Sequence, residues 1–93
     1  MIVYAEVECL MHEGHSLKAK RSIIKKLLAK LQSNSLNVAV TELDYHDLWQ
    51  RTKIGIVVIS TDYTHAERLI QAALHRIDSF TELERTLTHI ERI

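Results

Sequence analysis

The sequence predicts an α+β domain in which a four-stranded antiparallel sheet carries two helices on one face. Segments with a hydrophobic period of two alternate with amphipathic helical segments in the order β-α-β-β-α-β. The run at residues 54–59 is apolar throughout, which is typical of a central strand covered on both sides. This order defines the ferredoxin-like arrangement. The 93 residues contain no proline and only two glycines, and we expect a single domain over residues 1–93.

The first strand is predicted over residues 2–11, where every odd-numbered residue is apolar and two even positions hold glutamate. This period of two places the odd residues in a core and leaves the other face half solvated. Cys9 lies on the apolar face, where a small buried side chain is favoured over a reactive thiol. Gly14 indicates a turn, Ser16 is the expected N-cap of the first helix, and a polar break at 33–35 is expected to end it.

The first helix is amphipathic, with its leucines and isoleucines within an arc of about 140° and most of its cations on the opposite arc. Lys20 is the exception, because it falls within the apolar arc. We expect its stem to follow the edge of the core and its ammonium to reach solvent at the helix end. Residues 14–41 carry six positive charges and no negative ones, although the whole chain has a formal net charge of zero.

Three further segments have strand-like patterns, at residues 36–43, 48–60 and 83–91. A polar turn over 44–47 separates the first two, and Gly55 within the second indicates a bulge or close packing. Thr64 and Glu67 fit a capping box for the second helix. The last strand is rich in polar residues, which suits a sheet edge.

One face of the sheet is expected to remain without helices. It would present Tyr4, Leu10 and one side of the 54–59 run. An apolar patch of this kind is typical of a partner surface, and the commonest partner of a small protein is another copy of itself. We therefore expect a homo-oligomer, most simply a dimer.

Cations crowd the start of the first helix, where the helix dipole favours negative charge. Each of Lys18, Lys20 and Arg21 costs about 0.3–1 kcal/mol there at low salt. An external phosphate would offset this cost, with His15 adding a donor, or carboxylates of the chain itself would do so. The internal candidates are Glu6, Glu8, Glu42 and Asp47.

The only tryptophan, Trp49, is followed closely by Arg51 and Lys53. An aromatic ring beside cations can stack a nucleobase. The sequence lacks the Gly- and aromatic-rich signature of RNA-binding sheets, so an anchor in the core or in a dimer interface is the alternative. Asp47 is expected to cap the turn or to pair with Arg51. The candidate anion- or nucleic-acid-binding residues are His15, Lys18, Lys20, Arg21, Lys25 and Arg51, with Trp49 as the interface or stacking candidate.

Metal binding and catalysis receive little support from the sequence. The His12-Glu13-x-His15 and Asp44-x-His46-Asp47 groups contain ligand types without the closed spacing of a zinc site, so no metal or cofactor is predicted. No nucleophile-elbow or phosphate-loop motif is present, and an enzyme is less expected than a binding protein. The sequence shows neither a signal-peptide pattern nor an apolar run of about 20 residues, which with a single cysteine favours the cytoplasm and no membrane partner.

The stretches HSLKAKRSIIKKLL (residues 15–28) and DLWQRTKIGIVVIS (residues 47–60), with the strand that ends at His12, resemble the YlxP-like family of small bacterial proteins. The likeness extends over nearly the whole chain and departs from the family's usual turns at His12 and at 43–46. It implies a ferredoxin-like fold, a cytoplasmic bacterial protein and no established biochemical activity. Family members are often encoded among genes for translation initiation and ribosome maturation, which implies an RNA or ribosomal partner.

Three functions follow from these observations as expectations. The first is a binding module that contacts RNA or a ribonucleoprotein through the basic face of the first helix. The second is a homo-oligomeric interaction or structural protein without nucleic acid. The third is an enzyme or binder of a small phosphorylated ligand at the start of the first helix.

Overall fold

A computed structural model describes residues 1–12, 15–33 and 36–93, and its elements follow the predicted order. They are β1 (Ile2–Met11), α1 (Leu17–Leu31), β2 (Ala39–Asp44), β3 (Arg51–Ile59), α2 (Tyr63–Asp78) and β4 (Leu83–Arg92). The strands form one antiparallel sheet in the order β2-β3-β1-β4, so β1 and β3 are central. The predicted α+β ferredoxin-like fold is confirmed.

The core lies between the helices and one face of the sheet. All five odd-numbered residues of β1 from Val3 to Met11 are buried, as the period of two predicts. The helices add apolar side chains at helical spacing, including Leu27 of α1 and Ile70 of α2, both fully buried. Each such side chain contributes about 1.5–3 kcal/mol relative to an exposed one, so this interface holds the helices on the sheet.

Both helices begin at side-chain caps. Ser16 caps α1 as predicted, because its Oγ accepts a hydrogen bond from the backbone N–H of Ala19 at 3.1 Å. The predicted capping box of Thr64 and Glu67 is wrong. Asp62 caps α2 instead, and its carboxylate accepts from the N–H of His65 at 2.8 Å. Thr64 then lies inside the first turn of the helix and not at its cap position.

Element ends differ from the predicted ones where tertiary contacts decide them. The first helix ends at Leu31, slightly earlier than expected, and β2 starts three residues later than predicted. The connection between β2 and β3 is longer than the predicted turn, because β3 begins at Arg51. The predicted turn at Gly14 and part of the predicted break at 33–35 lie outside the described residues.

The helix-free face of the sheet, called here the open face, combines an apolar area with paired charges. Val57 is 38% exposed, Leu43 40% and Ile59 64%, while Tyr4, opposite Val57 on β1, is partly buried. Gly55 also lies in this area, packed against the side chain of Leu43. A Cβ atom at this position would come within 2.8 Å of Leu43 Cδ1, so the predicted close packing is confirmed. Among the described residues, neither helix has the length and apolar character needed to cross a membrane.

Candidate functional site

The cations of α1 fall into two groups, and Lys20 defines the first. Its side chain is only 1% exposed, and its ammonium donates to the backbone carbonyl of Tyr45 at 2.5 Å. It also forms an ion pair with Glu42 at 3.2 Å between Nζ and Oε2. Glu42 in turn accepts a hydrogen bond from the hydroxyl of Thr52 at 2.5 Å. The expectation that the ammonium reaches solvent is therefore wrong, because a carboxylate and a carbonyl receive it inside the protein.

This buried group, called here the Lys20 network, connects α1 to both ends of the β2–β3 connection. Glu42 lies near the end of β2, Thr52 near the start of β3, and Tyr45 between them. Tyr45 has a positive φ of 65°, which is uncommon for a residue other than glycine. For Lys20, the counter-charge thus comes from the chain itself, and the ammonium is unavailable to an external ligand.

Lys30, near the other end of α1, also has an internal contact. Its ammonium donates to Ser79 Oγ at 3.3 Å and lies 5.4 Å from the centre of the Phe80 ring. The carbonyl of Lys30 accepts a hydrogen bond from Arg76 at 2.8 Å. These contacts join the C-terminal ends of the two helices, which gives Lys30 a structural role.

The second group is a row of exposed cations on α1, called here the basic row and defined as Lys18, Arg21 and Lys25. Their spacing of three and four residues places them within an arc of about 60° on one helix face. The row rises about 10 Å along the helix axis. Within the described residues, no carboxylate forms an ion pair with any of the three. Lys26 is exposed beside the row.

Arg51 occupies a different surface from the basic row. Its guanidinium donates to Glu8 Oε1 at 2.6 Å and to the Tyr45 hydroxyl at 3.2 Å, and it lies 4.2 Å from the centre of the Tyr45 ring. The hydrogen bond to Glu8 is the main reason why the pKa of Arg51 is raised. The predicted pairing with Asp47 is wrong, because the β1–β3 register places Arg51 beside Leu10 and close to Glu8.

Trp49 lies against His15 at the entry to α1. The two ring centres are 4.9 Å apart and the ring planes are inclined by 78°, an edge-to-face arrangement. Trp49 is partly buried and His15 is exposed. The core cluster formed by the described residues includes Phe80 and Tyr63 at its margin but not Trp49. The only tryptophan of the chain is thus outside the core and next to the first turn of α1.

The histidines and the cysteine have other surroundings. His12 Nε2 lies 2.8 Å from Glu84 Oε1. His46 Nε2 lies 3.1 Å from the backbone carbonyl oxygen of Glu42. The second member of the His12-Glu13-x-His15 group, Glu13, lies outside the described residues.

Burial raises the pKa of the Cys9 thiol to about 12, so this side chain remains protonated.

The structure joins residues that the sequence could not associate. Glu42 was one of four candidate carboxylates, whereas neither Thr52 nor the Tyr45 carbonyl was predicted to contact Lys20. The position of Lys20 within the apolar arc was the one sequence signal that pointed to a buried amine. Of the predicted site residues, the structure brings His15 and Trp49 into contact, pairs Lys20 with Glu42, and pairs Arg51 with Glu8.

Comparisons with known proteins agree with this fold. Residues 2–90 match the family described as protein of unknown function DUF503, and the chain belongs to that family. It is 44% identical over 91 residues to the uncharacterized protein YlxP of Bacillus subtilis strain 168, covering 98% of each chain, which confirms the resemblance to YlxP-like proteins.

Two solved structures are similar in fold. A variant of SnoaB, a cofactor-independent oxygenase from Streptomyces nogalater, is 16% identical with a TM-score of 0.61, over 99% of this chain and 92% of that one. The de novo designed protein Foldit4 is 21% identical with a TM-score of 0.54, over 100% and 99% of the two chains. At these identities the likeness concerns the fold alone.

Proposed function

We propose that this protein is an RNA-binding module that contacts the phosphate backbone through the basic row of α1. The observation that carries the proposal is the contrast among the helix cations. Lys20 is buried and paired with Glu42, and the exposed Lys30 contacts Ser79. Lys18, Arg21 and Lys25 are exposed and, among the described residues, form no ion pair with a carboxylate. Exposed cations grouped on one helix face favour a polyanion, because neutralising phosphates releases condensed counterions.

The geometry of the row supports a linear polyanion more than a small phosphorylated molecule. Three side chains spread over about 10 Å of helix axis reach successive phosphates of a strand more readily than they converge on one. Lys20, the residue that would close a compact anion site at the helix start, is enclosed and bonded to Glu42. Because the whole chain has a formal net charge of zero, the protein as a whole does not attract a polyanion, and the attraction depends on local groups of cations such as the basic row.

The test is the salt dependence of RNA binding, measured by fluorescence anisotropy with a labelled single-stranded RNA of about 12 nucleotides, within the usual size range of single-strand sites. Replacing Lys18, Arg21 and Lys25 together by glutamine removes three charges while retaining good helix formers. The slope of log K against log salt concentration is expected to fall by about two units, since each contact to a single strand contributes about 0.7.

A matched pair of single variants controls for net charge. Arg21→Gln and Arg68→Gln each remove one guanidinium from an exposed helix position, the second on α2. Only Arg21→Gln is expected to reduce the slope. Equal affinities and slopes for these two variants, or the absence of RNA binding by the native protein at low salt, would contradict the proposal.

A second function, homodimerisation, is favoured by the open face. An apolar groove of about 270 Å³ lies on it, lined by residues that include Tyr4, Leu43 and Val57. The nearby charges pair with each other, Glu6 with Lys53 at 3.6 Å and Glu8 with Arg51 at 2.6 Å. The groove itself is lined mainly by apolar side chains, and a second copy of the same face offers a matching apolar surface.

Sedimentation velocity of the native protein tests this second function. A dimer is expected, and Val57→Lys is expected to produce monomers because it places a charge in the apolar groove. Gln71→Lys, on the exposed face of α2, makes a comparable change elsewhere and is expected to leave the dimer intact. The native protein is measured at about 100 µM, a concentration at which even a weak dimer would form. A monomer under these conditions would contradict this second function.

A further inference from the structure

Trp49 and His15 form an aromatic pair that the core does not use. The side chains are 4.9 Å apart between ring centres, and Trp49 is absent from the core cluster of the described residues. Tryptophan carries the largest aromatic surface of any side chain, and a partly exposed indole leaves apolar area in water that a core position would bury. The face of such a partly exposed indole is suited to contact with a flat, planar ligand.

The backbone holds Trp49 in place on both sides. The N–H of Leu48 donates to the carbonyl of Tyr45 at 3.1 Å, and the carbonyl of Gln50 accepts from the N–H of Met11 at 2.7 Å. The same Tyr45 carbonyl receives the buried ammonium of Lys20. The backbone that carries the indole is therefore fixed before any ligand arrives, which lowers the entropic cost of binding.

The pair adjoins the basic row. His15 precedes the N-cap of α1, and Lys18 and Arg21 follow within the first two turns. Arg51 does not contribute a second platform, because its guanidinium covers the Tyr45 ring at 4.2 Å and is bonded to Glu8. An aromatic pair and exposed cations thus lie next to each other at this corner of the molecule.

We propose that the indole of Trp49 stacks a nucleobase of the strand whose phosphates contact the basic row, while His15, inclined by 78° to it, holds the indole from the side, so that the partner is single-stranded RNA and not a duplex. This inference rests on the proposed RNA-binding function and specifies its ligand. Bases in a duplex are stacked on each other and present no free face, whereas the bases of a single strand can stack on side chains. Stacking also explains the combination of one aromatic pair with few cations, since each stacked base adds affinity that does not depend on salt.

The sole tryptophan gives a direct signal. We expect its emission to be quenched when an oligouridylate or oligoadenylate of about 12 nucleotides saturates the protein. Inorganic polyphosphate, which offers charge without bases, should bind through the basic row and leave the emission almost unchanged. An RNA duplex of the same length should bind more weakly than either single strand at the same salt concentration.

Substitution of Trp49 separates stacking from charge. Trp49→Leu is expected to weaken binding of the labelled single strand about 5- to 150-fold, the effect of losing one stacked base, without changing the salt slope. Trp49→Phe keeps a ring and should retain most of the affinity, and it provides the comparison if the leucine variant does not fold. Phe80→Leu is the aromatic control, because Phe80 follows α2 and lies beside Lys30 at the far end of α1. This variant should bind the labelled single strand with the affinity of the native protein.

The outcomes distinguish this inference from the proposed function. If the native protein binds no RNA, both fail. If it binds RNA with the expected salt slope while single strands and duplexes bind equally and the indole emission does not change, stacking fails and the basic row stands. Quenching by oligonucleotides together with a loss of affinity on removing the indole would support the single-stranded partner.

Discussion

Replacing Lys20 by methionine tests whether its buried amine is structural. Methionine keeps the apolar character of the stem and most of its length but leaves Glu42, whose side chain is 15% exposed, without its cation. Removing one partner of a buried ion pair costs about 3–5 kcal/mol. Glu42 would still accept the hydrogen bond from the Thr52 hydroxyl and would remain partly in contact with solvent. We therefore expect the lower end of this range, a loss of about 3 kcal/mol in the free energy of unfolding.

Urea denaturation followed by far-ultraviolet circular dichroism measures this loss. With an m-value of about 1 kcal/mol/M for a domain of this size, the midpoint is expected to fall by about 3 M. Adding Glu42→Gln to Lys20→Met removes the unpaired carboxylate and should restore part of the stability. Lys18→Met, two residues away and exposed, should lie within about 0.5 kcal/mol of the native protein. Equal stabilities of the Lys20 and Lys18 variants would refute a structural role for the buried pair.

Three further predictions concern the fold. Asp62→Ala should destabilise the protein by about 1 kcal/mol through loss of the α2 cap, and Thr64→Ala by less than half as much, measured by the same denaturation. Cys9, with its pKa raised to about 12, should resist alkylation by iodoacetamide at a pH of about 9 until urea unfolds the chain; rapid reaction of the folded protein would show that the thiol is accessible. Gly55→Ala should cost no more than about 1 kcal/mol, the low end for overpacking, because its methyl group meets only the side chain of Leu43 at 2.8 Å and that side chain is 40% exposed; adding Leu43→Ala should remove the cost in thermal unfolding.

Much of the fold follows from periodicity in the sequence. The alternating residues of β1 and the apolar run in β3 identify the two central strands, and Ser16 marks the start of α1. The start of α2 was harder to predict, because Asp62 and the Thr64–Glu67 pair are both acceptable caps and only the path of the chain after β3 selects between them.

The site depends on contacts between distant parts of the chain, which periodicity does not specify. Lys20 was recognisable as misplaced in the apolar arc, but its partner Glu42 is supplied by the position of β2 at the sheet edge. Arg51 pairs with Glu8, which is 43 residues away and is brought close by strand register. The contact between His15 and Trp49 likewise needs two loops to meet at one end of α1.

The salt slope of single-stranded RNA binding, compared between Lys20→Met and Lys18→Met at a temperature where both are folded, tests the central claim most directly. The two variants lose the same charge from the same turn of α1. We expect Lys18→Met to reduce the slope by about 0.7, whereas Lys20→Met should leave it unchanged because its ammonium is enclosed with Glu42. A slope reduced equally by both substitutions, or by neither, would contradict the division of the α1 cations into structural and phosphate-binding groups.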